Sequence, residues 1–242
     1  MADDDEKVKD EVKGEAVGGT AGEVVAEKPQ EIVEEVVKEQ EVLLPGWVPK
    51  TRLGQLVRDG NIKTIDEILE KNMAIKEPEI VDFLLGELKE DIIEINMVQR
   101  MSDSGRRTRF AVTALVGNGN GYIGIGRAHA KEVGSAIRKG VGRAKLNMIH
   151  VKRGCGSWQC GCGKDHSVPF AVKGKSGSAE ITILPGPRGL GVVANDTAKR
   201  VLVLAGIKDV WTFTSGETRT KVNMSYATFN ALKQMISTRG AL

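Results

Sequence analysis

Aromatic side chains are scarce: Phe, Trp and Tyr make up 4% of these 242 residues, against 40% for all hydrophobic types. Cores must therefore be built from Val, Ile, Leu and Ala, and a stacking platform for single strands is a poor fit. No uninterrupted apolar run approaches the ~18 residues that mark a membrane span. Cysteine occurs three times, always between positions 155 and 162. The start, Met1-Ala2-Asp3-Asp4-Asp5-Glu6, is the reverse of a basic secretory leader. These absences predict a cytoplasmic chain without a membrane partner, whose cysteines are reduced thiols or metal ligands and not disulfides.

Acidic residues are also nearly missing from one long stretch. Residues 98–153 hold twelve Lys and Arg against Asp103 and Glu132 alone, a net charge of +10. The overall charge of +3 hides this block, because residues 1–46 carry fourteen acidic and five basic side chains. A strongly basic block points to a polyanion partner, or in the blander reading to a solvated face. The 29 glycines suggest tight turns and close approach of backbone to other atoms.

Along the chain, residues 1–46 read as a disordered acidic tail, either solubilising or partner-binding, with a transient helix at 31–42. Residues 47–90 read as a helical segment, with helices from Thr51 to Asp59, from Ile65 to Lys71 and after Pro78. At 91–153 the period shifts to a strand, a polar turn at 101–108, strands at Phe110–Val116 and Tyr122–Ile125 joined through Gly117–Gly121, and a helix from Lys131 to about Met148. A Gly- and Cys-rich loop spans 154–166. Residues 167–242 read as a small α/β domain, with strands at 168–172, 179–184 and 208–213, a helix at 196–204 ended by Gly206, and a last helix capped by Ser225. The fold class is α+β.

Position makes the basic residues informative. Arg100, Arg106, Arg107 and Arg109 bracket a hairpin tip. Arg127 and Lys131 stand where a strand hands over to a helix, and Arg138, Lys139, Arg143, Lys145, Lys152 and Arg153 line that helix and its exit. Forked guanidiniums on a hairpin suit phosphates on both sides of a groove. Glycine-flanked Asn118 and Asn120, beside Tyr122, would let backbone N–H groups approach a phosphate. These residues are the candidate RNA contacts, since structured RNA is read mostly through shape and sugar–phosphate groups. Gly119-x-Gly121-x-x-Gly124 has the letters of a dinucleotide fingerprint, but a strand follows it and no acidic residue stands about twenty positions on.

Cys155, Cys160, Cys162 and His166 form a C-x4-C-x-C-x3-H set. Such a set can hold zinc tetrahedrally, and Gly156, Gly161 and Gly163 would let the loop wrap an ion. The alternative is a reduced loop lying on RNA through Lys152, Arg153 and Lys164. No H-x-E pair accompanies the cysteines, and His129 and His150 sit in no acid–base constellation, so neither an enzyme nor a small-molecule substrate is expected.

The stretch from Gly105 to Gly126, GRRTRFAVTALVGNGNGYIGIG, resembles the small-subunit ribosomal protein five family. Leu184–Gly191, Ala205–Val210 and Ala227–Leu232 resemble later parts of the same family, so the likeness runs over about 92–242. The cysteine loop and the helices at 47–90 look like its archaeal branch. The resemblance implies a domain similar to double-stranded-RNA-binding domains followed by a βαβ-type domain. It also implies a structural role on small-subunit ribosomal RNA near the path by which messenger RNA enters. Neighbours would be ribosomal proteins three, four and eight, and the role would support assembly and decoding accuracy. The competing reading is a free RNA-binding factor acting on structured RNA.

Overall fold

Thr51 starts the first helix by supplying a hydroxyl that accepts the Gly54 N–H at 3.1 Å. In this computed structural model residues 47–237 are described; the tail at 1–46, with the transient helix expected at 31–42, lies outside them. Three short helices follow: α1 (Arg52–Arg58), α2 (Ile65–Glu70) and α3 (Glu79–Leu85). They bury Val57, Ile62, Ile68 and Ile80 together, with Trp47 and Phe83 against them. Glu77 secures the entering chain by accepting the Trp47 indole N–H and the Lys50 backbone N–H, at 3.2 and 2.9 Å.

The next elements are β1 (Lys89–Ser102), β2 (Gly105–Gly117), β3 (Tyr122–Ala130), α4 (Val133–Leu146) and β4 (Met148–His150). The four strands form an antiparallel sheet in the order β1-β2-β3-β4. Two expectations are corrected here. The polar stretch 101–108 is not a loop: pairing continues to Ser102↔Gly105, and only Asp103 and Ser104 turn. Gly105, at φ 118°, allows this tight closure, and the Ser102 hydroxyl donates to its carbonyl at 2.9 Å. Polar strands pair as readily as apolar ones when both faces are in water, so polarity was the wrong criterion. The second correction is β4, which is too short to show any period and adds a fourth strand to the expected three.

Residues 111–117 of β2 are buried on both faces. One face carries Ala114 and Val116 against Val141 and Ala144 of α4, with Ile65 and Val81 from the N-terminal helices. The other face sends Leu115, beside Ile123 and Ile125 of β3, into the main core. Gly124 and Gly126 of β3 let α4 lie directly on the sheet, since a methyl group at either would overlap the helix backbone at Ala144.

The second half contains β5 (Val172–Ser176), β6 (Ala179–Pro185), β7 (Val192–Val193), α5 (Asp196–Leu204), β8 (Val210–Ser215) and α6 (Lys221–Ser237). Its sheet runs β5-β6-β8-β7, antiparallel except for β7 and β8, which are parallel and joined through α5. The strand expected at 168–172 begins only at Val172, because Ser167 and Val168 bond to Gly154 and Gly156 of the cysteine loop instead. Ser225 does not cap α6: it is buried inside the helix, donating to Val222 O at 2.7 Å, and the Met224 N–H already reaches Thr220 O. The strand expected from Lys208 runs from Val210. Ile181, Ile183, Val201, Leu202, Met224 and Leu232 complete the core that Leu115, Ile123 and Ile125 enter, so both sheets share one hydrophobic interior.

Candidate nucleic-acid interface and cysteine cluster

Strand alternation divides the hairpin into two faces. Arg100 pairs with Arg107 and Val98 with Arg109, so Arg100, Arg107 and Arg109 share one face. Arg106 pairs with Met101 and lies on the other, with Met97, Gln99 and Thr108. The outer half of both strands is exposed, including Met97 at 59% and Met101 at 69%. Among the described residues none of these arginines has an ion-pair partner. A cleft of about 470 Å³ lies between Arg109, His129, Lys131, Ser135 and Lys139, and a second of about 570 Å³ runs beside Arg100, Arg107, Arg109 and His129 toward the tip. The first opens at the start of α4, where the N-cap Glu132 makes no side-chain cap bond. Glu132 also lines this cleft and accepts the Ser135 hydroxyl at 3.4 Å, so its carboxylate offsets part of the positive charge that the helix N-terminus, Lys131 and Lys139 bring there. Arg138 is exposed on the same helix.

Other candidates are tied into the fold. Lys145 is 14% exposed and bridges Asp82 at 2.7 Å and Glu90 at 3.6 Å, fastening α4 to α3 and β1. Arg143 donates to the Arg127 carbonyl at 2.6 Å. Tyr122 stacks on His150 with ring centroids 4.6 Å apart and donates its hydroxyl to Asp66 at 2.7 Å. Burial and the Asp66 carboxylate together hold that phenol well above its ordinary range. The expectation that the 117–121 loop offers free amides is corrected. Gly119 N–H donates to Leu204 O and Gly121 N–H to Ala205 O, at 3.0 and 3.1 Å. Asn118 Oδ1 accepts the N–H groups of Asn120 and Tyr122, and Asn120 Oδ1 accepts the Arg153 guanidinium. This loop seats the C-terminus of α5, whose last carbonyls need donors. Lys152 remains exposed.

The cysteines do converge. One ligand atom from each of Cys155, Cys160, Cys162 and His166 lies within 4.8 Å of all the others. The loop is closed at its base by the reciprocal Gly154–Ser167 bridge and by Gly156 N–H on Val168 O. His166 Nδ1 is 2.8 Å from Asp209 Oδ2, and its Nε2 is 3.8 Å from Cys160 Sγ. Asp209 is buried, and its other oxygen accepts the N–H groups of Gly189 and Gly191 at 3.0 and 2.8 Å. Burial drives the Asp209 pKa up, but the Gly191 N–H, His166 and the Gly189 N–H outweigh it and hold it below the usual range. The Arg188 N–H, with the Cys162 thiol and N–H, pulls Cys160 down to about 6. Desolvation and the two neighbouring sulfurs push Cys155 up. A tetrahedral zinc with Zn–S bonds of about 2.3 Å holds its sulfurs about 3.8 Å apart, so small side-chain movements would close the set around an ion.

Residues 88–152 match the family model for ribosomal protein S5, N-terminal domain, and residues 174–240 match that for ribosomal protein S5, C-terminal domain. The chain belongs to the ribosomal protein S5 family. It is 58% identical over 193 residues to the small ribosomal subunit protein uS5 of Methanocaldococcus jannaschii, covering 80% of this chain and 89% of that one. It is 57% identical over 187 residues to the uS5 protein of Pyrobaculum islandicum, covering 77% and 93%. With the uS5 protein of Methanothrix thermoacetophila the identity is 53% over 193 residues, covering 80% and 95%. S5 proteins are structural constituents of the small ribosomal subunit and not enzymes, in line with the expected class. The described residues contain no helix long and apolar enough to cross a membrane.

Within this S5-family chain, sequence reasoning missed Asp209, Ser135 and the role of His129. Asp209 lies 43 residues from the histidine it orients, and only the fold joins them. His129 alternates with buried Ala128 and Ala130 on β3, a pattern that could have shown it facing outward beside Arg109.

Proposed function

We propose that the chain grips small-subunit ribosomal RNA through the exposed outer half of the β1–β2 hairpin and the start of α4, and so acts in subunit assembly and decoding accuracy. The carrying observation is a set of cations with no ion-pair partner among the described residues: Arg100, Arg106, Arg107, Arg109, Lys131, Arg138 and Lys139. Cations left unpaired on a rigid scaffold retain their full attraction for phosphate. The β1–β2–β3 meander followed by α4, with β4 added at the sheet edge, suits the double-stranded-RNA-binding-like arrangement that the family resemblance implies. In this reading the hairpin lies near the path by which messenger RNA enters, with ribosomal proteins three, four and eight as neighbours. A subunit constituent stays with small subunits through high-salt washing at close to one copy each. Quantitative release into the wash would favour the free RNA-binding factor and end this proposal.

The cysteine cluster, in the same reading, holds a structural zinc. Its donor set is three sulfurs and an imidazole whose second nitrogen is held by a buried carboxylate, the support that zinc-bound histidines commonly have. Zinc would fix the 155–166 loop and, through Asp209, the Gly189–Gly191 turn. Metal analysis of the purified chain should give close to one zinc per molecule, released when Cys160 and Cys162 are both replaced by Ser. A chain that retains no zinc after purification without chelators would rule this out.

A further inference from the structure

Trp158 is 92% exposed, more than any other large hydrophobic side chain among the described residues. It does not hang from a loose segment. Ser157 O accepts the Cys160 N–H at 3.2 Å, closing a turn with Trp158 and Gln159 at its tip. Buried Ser157 accepts the Gln159 N–H on its hydroxyl, and the Cys155 thiol donates to Cys160 O at 3.1 Å. The two cysteines that flank the turn are thus cluster members, and the same cluster closes the base from which the indole projects. An indole can bury on the order of 150–250 Å² against a partner, so an ordered turn that keeps one in water leaves a large favourable contact unused.

We propose that Trp158 is a nucleobase-stacking contact, a second RNA site held out by the Cys/His clasp and separate from the hairpin. This rests on the RNA-binding reading above. The surroundings select the partner chemistry. Lys164 lies in the loop, Arg188 gives its N–H to the Cys160 sulfur, and Lys208 gives its N–H to His166 O at 2.9 Å. All three side chains are exposed, and Asp165 is the one acid of the loop. No other large hydrophobic side chain between 147 and 192 is exposed; past that stretch come exposed Val193, Trp211 and Phe213 on β7 and β8. An exposed ring on a turn whose supporting segments carry exposed Lys164, Arg188 and Lys208 suits a base flanked by phosphates. The segment also falls between the two family-model matches, which end at 152 and resume at 174, so it stands apart from the shared family core.

The test uses small subunits from cells carrying the wild-type, Trp158→Ala or Trp158→Phe chain. Ultraviolet cross-linking with mass spectrometry should place a nucleotide on the Trp158 peptide of the wild type, beside separate adducts on hairpin peptides. In Trp158→Ala subunits the hairpin adducts and the zinc content should persist. The chain should exchange from the subunit roughly 5- to 150-fold faster, the range expected for loss of one base–aromatic stack. Trp158→Phe should restore most of the slow exchange. Hairpin adducts with none on Trp158, a Trp158 adduct to another protein, or unchanged exchange of Trp158→Ala would each overturn this proposal alone. Absence of RNA adducts from the hairpin as well would overturn the underlying RNA-binding reading.

Discussion

Replacing Arg106, Arg107 and Arg109 together by Ala removes three guanidiniums that no carboxylate in the described residues neutralises. Each phosphate neutralised by a cation contributes about 0.7–0.9 to the slope of log affinity against log salt. Three lost contacts should therefore flatten that slope by about 2–3. Affinities converge near 1 M salt, so the deficit one decade lower, at about 0.1 M, is roughly two to three orders of magnitude. The strand register adds a finer expectation, because Arg107 and Arg109 share a face that Arg106 does not. A hairpin inserted into a groove, with RNA on both sides, should lose a similar slope for each single variant. A hairpin lying flat should lose it for Arg107 and Arg109 and not for Arg106. The assay is rebinding of the full chain to small subunits depleted of it, across a salt series. Thermal midpoints should stay within about 2 °C, since all three side chains are exposed and make no side-chain hydrogen bond or ion pair among the described residues. An unaltered salt slope for the triple variant would refute the phosphate-contact reasoning whatever happens to affinity at one salt concentration.

Three further outcomes test the scaffold. Gly126→Ala forces a methyl into the backbone of α4 and should cost about 1–3 kcal/mol, while Gly142→Ala, which meets nothing within 4 Å, should stabilise the helix by about 0.5–1 kcal/mol. Opposite shifts in thermal midpoint check both. Lys145→Ala should lower stability by about 1 kcal/mol, through its bridges to the partly exposed Asp82 and Glu90, and leave the salt slope of RNA binding as it was; a flattened slope would make it an RNA contact after all. Asp209→Ala leaves the Gly189 and Gly191 amides and His166 without their acceptor and should cost about 2–4 kcal/mol. Calorimetry should then show a fall of roughly 5–10 °C, with Asp209→Asn falling less because one oxygen is kept.

What could be read from sequence divides along a physical line. Elements with a buried face or a clear stop signal declared themselves: α4 through Ala136, Val141 and Ala144, and α5 through Gly206 at its end. Burial imposes a period, and period is legible. The outer hairpin has no buried face, so its pairing left no hydrophobic trace and residues 101–108 looked like a loop. The same cause blurred the charged candidates. Lys145 and Lys139 stand on one helix and look alike in a string of letters, yet one is spent on Asp82 and the other borders an open cleft. Only the position of α3, brought over α4 by contacts among Ile65, Val81 and Val141, separates them.

The cysteine loop shows the limit most sharply. Its four donors lie within twelve positions and were visible as a set. What orients that set is Asp209, carried in by the turn before β8, together with two glycine amides from the turn before β7. Three stretches distant in sequence therefore meet at one histidine, and each is indifferent in isolation: a glycine-rich loop, a glycine-rich turn and a lone aspartate. A donor set supplies affinity, but the tautomer and aim of His166 come from a carboxylate that local spacing does not announce. The proposed metal site is thus half legible, with candidate ligands in the local spacing and orientation in the long-range packing. The Asp209 variants test that second half directly: a chain whose His166 needs no external support should bind zinc as tightly with Ala at 209 as with Asp.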